Sequence, residues 1–299
     1  MRAAAFEQPG PPDVLRLLEL PEPQAGPGEV RVRVRTAGVQ PFDARLRSGW
    51  EPPYAPVKLP QIPGNEFAGV VDQGTAELPA GTEVLGFSVF NAYAEYIVVP
   101  ADQVTPKPAN VPWEVAGGFA AGWQTARLAL SALGVGPGDT VLINAAAGST
   151  GTAGVQLARL LGATVIGTAS EANQDYVRSL GAVPVVYGDG LPDRIRALAP
   201  GGIDAAVDGA GGAALETSLE LVKDRKKILT LVAHARIEEL GLASIQGRRS
   251  AAALADLIGL YAAGRTIWHV RRVHPLAEAA DAHREIETGH GRGKIVLEI

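Results

Sequence analysis

The feature that most limits how this chain can fold is an apolar run that leads directly into a glycine-bearing turn, in residues 139–151 (DTVLINAAAGSTG). A short run such as DTVLINA suits a strand that is buried on both faces of a parallel sheet. The segment after the turn predicts a helix that ends at Gly162. Its expected apolar stripe consists of Ala153, Leu157, Leu160 and Leu161. Strand, tight turn and helix in this order begin a βαβ unit.

The same alternation continues after this unit. Residues 163–168 (ATVIGT), 183–187 (VPVVY) and 203–209 (IDAAVDG) predict further strands, and a helix is expected after Ser170. Strands that alternate strictly with helices need right-handed crossovers and build an open parallel sheet. We therefore predict an α/β fold with a doubly wound parallel sheet in the second part of the chain.

The first hundred residues predict a small, β-rich, barrel-like domain instead. Residues 30–35 (VRVRVR) alternate valine with arginine, so one face of a strand is apolar and the arginine face is expected in solvent. Further strands are predicted at residues 67–71, 83–87 and 93–99, between turns that contain Pro and Gly.

Residues 45–60 contain Trp50, Tyr54 and several prolines, and they predict no regular element. A proline-braced loop that carries aromatic side chains on a sheet is a candidate wall for a substrate pocket. Tyr54 has two interpretations: it orients or hydrogen-bonds a substrate, or it packs within the loop.

The composition excludes several kinds of function. The chain has no cysteine, which rules out disulfides, thiolate nucleophiles and zinc sites built on sulfur. Its five histidines, at positions 234, 269, 274, 283 and 290, have no metal-ligand spacing, so no metal site is predicted. With 27 basic and 32 acidic residues, the net charge of −5 lacks the basic excess of a nucleic-acid-binding protein. No apolar stretch is long enough for a secretory signal or a membrane span, so we expect a cytoplasmic protein with no membrane or nucleic-acid partner.

The glycine-bearing turn is a candidate site for the pyrophosphate of a dinucleotide. Ala146, Gly148 and Gly151 occupy the three glycine positions of the GxGxxG pattern, with alanine at the first. Such a turn lets the backbone approach a phosphate at the N-terminus of a helix. The alternative is a tight turn selected for packing alone.

The end of the next predicted strand favours NADP(H) over NAD(H). An NAD site places Asp or Glu there to bind the ribose hydroxyls, whereas this chain has residues 168–170 (TAS) and no carboxylate before Glu171. Ser170, Asn173 and Tyr187 are candidates for binding the 2′-phosphate. Ser170 has the alternative role of a helix N-cap, and Glu171 argues against a second phosphate nearby.

Several motifs in the same order resemble the zinc-free quinone oxidoreductase branch of the medium-chain dehydrogenase/reductase superfamily. They are AGVQPFDARLRSG, IPGNEFAGVV, AYAEYIVVPADQ, PGDTVLINAAAGSTGTAGVQLARLLGATVIGTAS and HPLAEAADAHREIETGHGRGKIVL, and the resemblance covers residues 1–299. It implies a GroES-like domain over residues 1–115, completed by residues 265–299, a Rossmann dinucleotide-binding domain over residues 116–264, and a homodimer. Zinc-dependent relatives have a Cys-containing turn where this chain has AGVQPFD, and Gly-His-Glu where it has Gly64, Asn65 and Glu66.

The resemblance also implies roles for single residues. Gln40 stands where an Asn that contacts nicotinamide or substrate is usual, and Thr125 matches a Thr beside the nicotinamide. Gly148, Ser149, Thr150 and Gly151 form the pyrophosphate turn, and Val232 lies beside the nicotinamide. Three differences accompany these matches: Gln at position 40, Ser149-Thr150 in place of Gly-Val, and DRKKI before the strand that leads to Val232.

These observations predict an NADPH-dependent oxidoreductase that transfers hydride to a quinone, because positioning of the nicotinamide and the acceptor supplies most of such catalysis. Reduction of an enone or enoyl thioester is the alternative; charge then builds on a carbonyl oxygen, and Gln40 or Tyr54 would donate a hydrogen bond to it. A third hypothesis is a protein that binds NADPH as a sensor or structural component.

Overall fold

The computed structural model describes residues 1–299, in which the chain divides into two compact units. Unit 1 comprises residues 1–121, 250–290 and 294–299, and unit 2 comprises residues 122–249 and 291–293. The strands are β1 (Arg2–Ala5), β2 (Arg16–Glu19), β3 (Glu29–Val39), β4 (Glu66–Gln73), β5 (Glu83–Phe87), β6 (Tyr96–Pro100), β7 (Val104–Pro106), β8 (Thr140–Ile143), β9 (Thr164–Ala169), β10 (Val183–Val186), β11 (Ala205–Asp208), β12 (Ile228–Thr230), β13 (Val270–Pro275) and β14 (Lys294–Glu298). The helices are α1 (Pro41–Arg47), α2 (Trp113–Gly117), α3 (Ala120–Leu133), α4 (Ser149–Leu160), α5 (Gln174–Ser179), α6 (Leu191–Leu198), α7 (Gly212–Leu221), α8 (Arg236–Leu240), α9 (Ala251–Ala262) and α10 (Ala279–Glu287).

Unit 1 is built on a seven-stranded sheet in the order β13-β14-β3-β4-β5-β7, with β6 also paired to β3. The central strand β3 is antiparallel to β14, β4 and β6. Its neighbours in the sheet therefore come from both the N-terminal and the C-terminal part of the chain. Its valines Val30, Val32 and Val34 are buried in the core, as their spacing predicts.

The arginine face of β3 is not all in solvent, contrary to the prediction. Arg31 is 9% exposed: its Nε donates to Asp72 on β4 at 2.7 Å, and its guanidinium lies 4.9 Å from the ring centroid of Tyr96 on β6. Arg33 and Arg35 are exposed. The difference arises because β4 and β6 flank Arg31 with a carboxylate and an aromatic ring, neither of which an alternation pattern reveals.

Unit 2 contains a sheet of five strands in the order β10-β9-β8-β11-β12, all parallel. This order confirms the predicted doubly wound sheet, since the chain starts at β8, winds outward to β10 and then continues on the other side with β11. The carboxyl ends of β8, β9, β11 and β12 therefore meet along one edge.

Two local predictions were wrong. In α4, Ala153 and Leu157 are buried, but Leu160 and Leu161 are 43% and 44% exposed, because the buried part of this helix is residues 152–158 and its last turn is not covered. Residues 45–47 belong to α1, since the prolines that prevent regular structure begin only at Pro52.

No helix of the protein combines the length and the apolar character that crossing a bilayer requires.

Candidate functional site

The turn after β8 brings the start of α4 very close to the backbone of the strand end. Ala145 adopts a left-handed conformation (φ +57°), which is costly for a residue with a Cβ atom. A Cβ atom at Gly151 would lie 2.2 Å from the carbonyl oxygen of Ala145 and 2.7 Å from Cα of Ala146. Glycine at position 151 is therefore required by packing. The residue of the turn that adopts the left-handed backbone conformation is Ala145, and not the buried Ala146 that occupies the first position of the glycine pattern.

The first turn of α4 presents backbone N–H groups to an anion. Gly148 precedes the helix in an extended conformation, and no side chain caps it. The N–H groups of the first residues of a helix, here Ser149, Thr150 and Gly151, have no acceptor within the helix. These residues are half-buried, and no acidic side chain lies in this turn. The helix dipole and the N–H groups together favour a phosphate at this position.

Two hydrogen-bonded side chains, those of Thr168 and Asn144, fix the conformation of this turn. The hydroxyl of Thr168, near the end of β9, donates to Oδ1 of Asn144 at 3.1 Å and accepts from the N–H of Ala145 at 3.2 Å. Nδ2 of Asn144 donates to the hydroxyl of Ser218 on α7 at 2.9 Å. No motif in the sequence predicts these residues, and the only signal for them is that polar side chains stand at the ends of buried strands.

A second pair joins the turns after β11 and β12. The fully buried carboxylate of Asp208 accepts from the N–H groups of Ala210 and Gly211, at 3.0 and 2.9 Å, and from the hydroxyl of Thr230 at 2.8 Å. The Thr230 hydroxyl in turn accepts from the N–H of Val232 at 3.3 Å. Val232, predicted to lie beside the nicotinamide, is 42% exposed at this edge of the sheet.

The residues predicted to bind a 2′-phosphate lie beyond β9 and β10. Nδ2 of Asn173 donates to the hydroxyl of Ser170 at 3.1 Å, and both side chains are half-buried. Ser170 occupies the N-cap position of the 3-10 turn Glu171–Asn173, but its side chain makes no capping hydrogen bond there. Tyr187 directly follows β10 and is 49% exposed.

Arg292, which no motif in the sequence predicts, adds a basic group to the same unit. Its guanidinium lies 5.4 Å from the ring centroid of Tyr176 on α5, and the Tyr176 hydroxyl is 3.1 Å from that of Thr152 on α4. The next residue, Gly293, donates its N–H to the carbonyl of Ala147 in the glycine-bearing turn at 2.8 Å. A segment far along the chain thus brings a positive charge beside the candidate phosphate site; the only sequence signal was an arginine between two glycines.

Thr125, the other predicted residue of unit 2, lies on α3 and is half-buried. Its hydroxyl accepts a hydrogen bond of 3.3 Å from the guanidinium of Arg249. No spacing in the sequence predicted this partner, which is far from Thr125 along the chain.

In unit 1, Gln40 belongs to a buried polar cluster. Its Nε2 donates to Oε1 of the fully buried Glu66 at 2.5 Å, and the ammonium of Lys294 lies 2.5 Å from the same oxygen. Oε2 of Glu66 accepts from the N–H of Ala121 at 2.6 Å. A buried carboxylate with this set of donors is fully compensated, and it fixes the amide of Gln40 in turn.

Asp43 on α1 completes the cluster. Its carboxylate accepts from the N–H groups of Gln40 and Gly64, at 2.9 and 3.1 Å, and from the hydroxyl of Tyr93 at 3.1 Å. Burial raises the pKa of Asp43 to about 7, against the opposing effects of the Lys294 charge and these hydrogen bonds. The polar cluster comprises Gln40, Asp43, Glu66, Tyr93 and Lys294.

Tyr54 is not part of this cluster. It lies in the loop after α1 and is 71% exposed, whereas Gln40 is 7% exposed. In the same region, Phe42 packs edge-on against Trp50, with 5.5 Å between ring centroids, and stacks on Phe90. Phe90 belongs to the buried core of unit 1, and Phe42 packs against this core.

The donor set offers nothing for a metal ion. No three His, Asp or Glu side chains are grouped so that they could hold one. Asn65 stands between Gly64 and Glu66, and its amide is a poor substitute for the imidazole that zinc prefers.

Comparison with protein families identifies both parts of the chain. The alcohol dehydrogenase GroES-like domain matches residues 26–109, which confirms the expected GroES-like character of the first domain. The zinc-binding dehydrogenase family matches residues 180–297, although this chain has no cysteine.

Known proteins resemble the chain over most of its length. It is 29% identical over 315 residues to the "Probable quinone oxidoreductase" of Schizosaccharomyces pombe, with 96% of this chain and 94% of that protein covered. A mycobacterial protein solved in complex with NADPH has 29% identity and a TM-score of 0.86, with 100% of each chain covered. An NAD-dependent alcohol dehydrogenase has 29% identity and a TM-score of 0.87, also with 100% of each chain covered.

Proposed function

Because the chain belongs to the medium-chain dehydrogenase/reductase superfamily, in the branch that contains the quinone oxidoreductases, we propose that it is an NADPH-dependent oxidoreductase that transfers hydride to a quinone. The observation that carries this proposal is the cradle at the start of α4, by which we mean residues 148–151. Here the backbone N–H groups of Ser149, Thr150 and Gly151 follow a turn in which glycine leaves room for close approach. Its bound dinucleotide would supply the hydride.

The residues of unit 2 fit such a dinucleotide. The N-terminus of α4 would hold the pyrophosphate, since Gly148 has no side chain to block the approach. Asp208 and Thr230 hold the turn that carries Val232, which would lie beside the nicotinamide together with Thr125. None of these residues has to move a proton, because their task is to bind and orient.

The choice of NADP(H) rests on charge at the end of β9. The strand ends in Ala169 and is followed by Ser170, so no carboxylate is placed to bind the ribose hydroxyls and repel a 2′-phosphate. Ser170, Asn173 and Tyr187 would donate hydrogen bonds to that phosphate, and Arg292 would supply the positive charge. The mycobacterial relative that binds NADPH supports this choice.

The acceptor would be bound by unit 1, whose polar cluster and aromatic group lie at α1. A quinone suits a protein without a dedicated acid, because the reduced oxygen is weakly basic and water can protonate it. We further propose that residues 1–115 with 265–299 form the acceptor domain, that residues 116–264 form the cofactor domain, and that the protein is a homodimer.

One experiment tests the proposal. NADPH and NADH are each titrated into the protein, and consumption of the better ligand is then followed with 1,4-benzoquinone and, in parallel, with an α,β-unsaturated ketone or thioester. We expect tighter binding of NADPH and faster turnover with the quinone. Faster reduction of the enone would replace the quinone assignment, and preference for NADH would overturn the assignment of the β9 end. Failure of both nucleotides to bind would overturn the proposed function altogether.

A further inference from the structure

Arg249 is a charged residue of unit 2 to which the proposed function assigns no role. Its guanidinium donates a hydrogen bond of 3.3 Å to the hydroxyl of Thr125 on α3, and both side chains are half-buried. A guanidinium keeps its positive charge at every pH at which proteins are folded. The contact with Thr125 therefore fixes a positive charge at one place in unit 2.

The length of α3 places Thr125 level with the carboxyl end of β12. Lys227 directly precedes β12, at the amino ends of the strands, and its ammonium donates to the carbonyl of Leu133 at 2.6 Å. Leu133 is the last residue of α3, and Thr125 lies a little more than two turns earlier, about 12 Å along the helix axis. The chain rises by about 13 Å from Lys227 to Leu231. Thr125 therefore lies at the carboxyl edge of the sheet.

The segment that ends in Arg249 reaches the same edge by a separate route. Ala243 pairs in parallel with Leu229 on β12, so the residues after it continue in the direction of β12, past its carboxyl end. Gly247 then lies against α3, where a Cβ atom at this position would be 3.6 Å from Cδ2 of Leu128. Two independent sets of contacts thus place the guanidinium at the carboxyl edge, beside β12.

The order of the strands decides which half of a bound dinucleotide would lie here. In a doubly wound sheet, the dinucleotide crosses the carboxyl edge where the winding reverses, here between β8 and β11. With the pyrophosphate at the start of α4, the adenosine half would lie at the end of β9, beside Ser170. The nicotinamide half would then extend over β11 and β12, toward Val232 and Arg249. The positive charge is thus on the side of the ring that carries the hydride.

We propose that Arg249 determines which redox form of the dinucleotide the protein prefers, and that it makes the reduced form bind more tightly than the oxidised form. The inference rests on the proposed function. The nicotinamide ring is neutral when reduced and positively charged when oxidised, so a fixed guanidinium repels only the oxidised ring. At an effective dielectric constant of about 20, repulsion between unit charges within about 10 Å changes an affinity by about tenfold or more.

This preference suits a protein that works as a reductase. Because Arg249 weakens binding of the oxidised product, that product leaves faster and competes less with the reduced form for the site. The same repulsion makes the bound reduced dinucleotide a weaker hydride donor. An easily reduced acceptor such as a quinone tolerates this loss, whereas an acceptor that is hard to reduce does not. The charge of Arg249 therefore favours the quinone over the enone within the proposed function.

The test measures, by calorimetry, the dissociation constants of NADPH and NADP⁺ for wild type, R249Q and R249K, together with the unfolding midpoint of each protein. We expect R249Q to lower the ratio of the NADP⁺ constant to the NADPH constant by about tenfold, mainly because NADP⁺ binds more tightly. R249K keeps the charge and should keep most of this ratio. R248Q is the matched control, because it removes the same charge from the neighbouring, exposed position and should leave the ratio nearly unchanged.

An unchanged ratio in R249Q would overturn the proposal for Arg249. Equal weakening of NADPH and NADP⁺ would also overturn it, because Arg249 would then bind a part that both forms share. Should R249Q fail to fold, T125V decides, since it is isosteric and only releases the guanidinium; a wild-type ratio in T125V would reject the proposal. If the wild type binds NADPH and NADP⁺ equally well, this inference fails and the proposed function stands. If it binds no nucleotide, the proposed function itself fails.

Discussion

The hydroxyl of Thr230 donates a hydrogen bond of 2.8 Å to the carboxylate of Asp208, which is fully buried. The two residues end neighbouring parallel strands, β11 and β12, and each also binds backbone N–H groups of the turn that follows it. Through this one bond, the turn that starts α7 and the turn that carries Val232 are held as a single piece. The carboxyl edge of the sheet is therefore rigid where a dinucleotide would lie.

Removal of the Thr230 hydroxyl should loosen this edge. We expect T230V to lower the free energy of unfolding by about 1–3 kcal/mol, because the Asp208 carboxylate loses a donor and two N–H groups lose their acceptor. NADPH should bind more weakly for the same reason. T230S keeps the hydroxyl and is the control; denaturant unfolding and nucleotide titration measure both effects. Equal behaviour of T230V and T230S would show that the bond holds nothing in place.

The two glycines of the α4 turn should respond differently to alanine. In G151A the new Cβ would meet backbone atoms at 2.2 and 2.7 Å, so α4 must shift, and we expect a loss of about 1–3 kcal/mol in stability. In G148A the nearest atom is 3.4 Å away, so stability should change little. NADPH binding should weaken in both, because the methyl group at position 148 would stand where the pyrophosphate approaches. If G148A binds NADPH as tightly as wild type, the pyrophosphate does not lie at this turn.

Arg292 should distinguish the two nucleotides. We expect R292L to weaken NADPH binding about tenfold or more, the usual value of a charge-assisted hydrogen bond, and to leave NADH binding nearly unchanged. R292K keeps the charge and should lose less. Dissociation constants for both nucleotides measure this. Equal weakening of NADPH and NADH would assign Arg292 to the pyrophosphate instead, and no change would remove it from the site.

His283 should make the protein less stable in acid. It is fully buried on α10 against Tyr93, and burial together with the Arg47 charge lowers its pKa to about 3. The unfolded chain binds a proton at this histidine near pH 6.5. Above that pH, His283 therefore does not lower the free energy of unfolding. As the pH falls from about 6.5 toward 3, protonation of His283 in the unfolded state lowers the free energy of unfolding by about 1.4 kcal/mol per pH unit.

The variant H283F removes this proton and keeps an aromatic ring beside Tyr93. We expect the difference in unfolding free energy between H283F and wild type to grow as the pH falls below about 6.5. Asp43 has the opposite dependence, because its raised pKa of about 7 costs stability as the pH rises toward 7; it is present in both proteins and cancels in the difference. Parallel stability curves between pH 4 and 7 would contradict a neutral, buried His283.

The parallel sheet of unit 2 was predictable because its signals are local. Each strand is a short apolar run, each is followed by a helix, and Gly162 ends α4 where expected. The prediction failed where a neighbour distant in sequence decides burial. Arg31 is covered by side chains from β4 and β6, and Leu160 is exposed because the end of α4 lies beyond the covered region.

The candidate site shows the same division. The cradle at residues 148–151 could be predicted because it requires small residues for close backbone approach, and these residues are neighbours in the sequence. The partners that hold it, such as Thr168 for Ala145 and Arg292 for Tyr176, come from other elements, and spacing cannot reveal them. The predicted roles of Gln40, Tyr54 and Thr125 stay predictions, although Gln40 is committed to Glu66 more firmly than its position in the sequence suggested.

The place of β14 between β13 and β3 has a consequence for biosynthesis. A ribosome delivers this strand only after most of the preceding sequence has emerged, so β3 keeps an open edge until then. Glu66 also waits for the ammonium of Lys294, its buried counter-charge. A nascent or truncated polypeptide that lacks residues 294–298 would combine an unpaired edge strand with an uncompensated interior carboxylate, the two defects that promote aggregation and degradation.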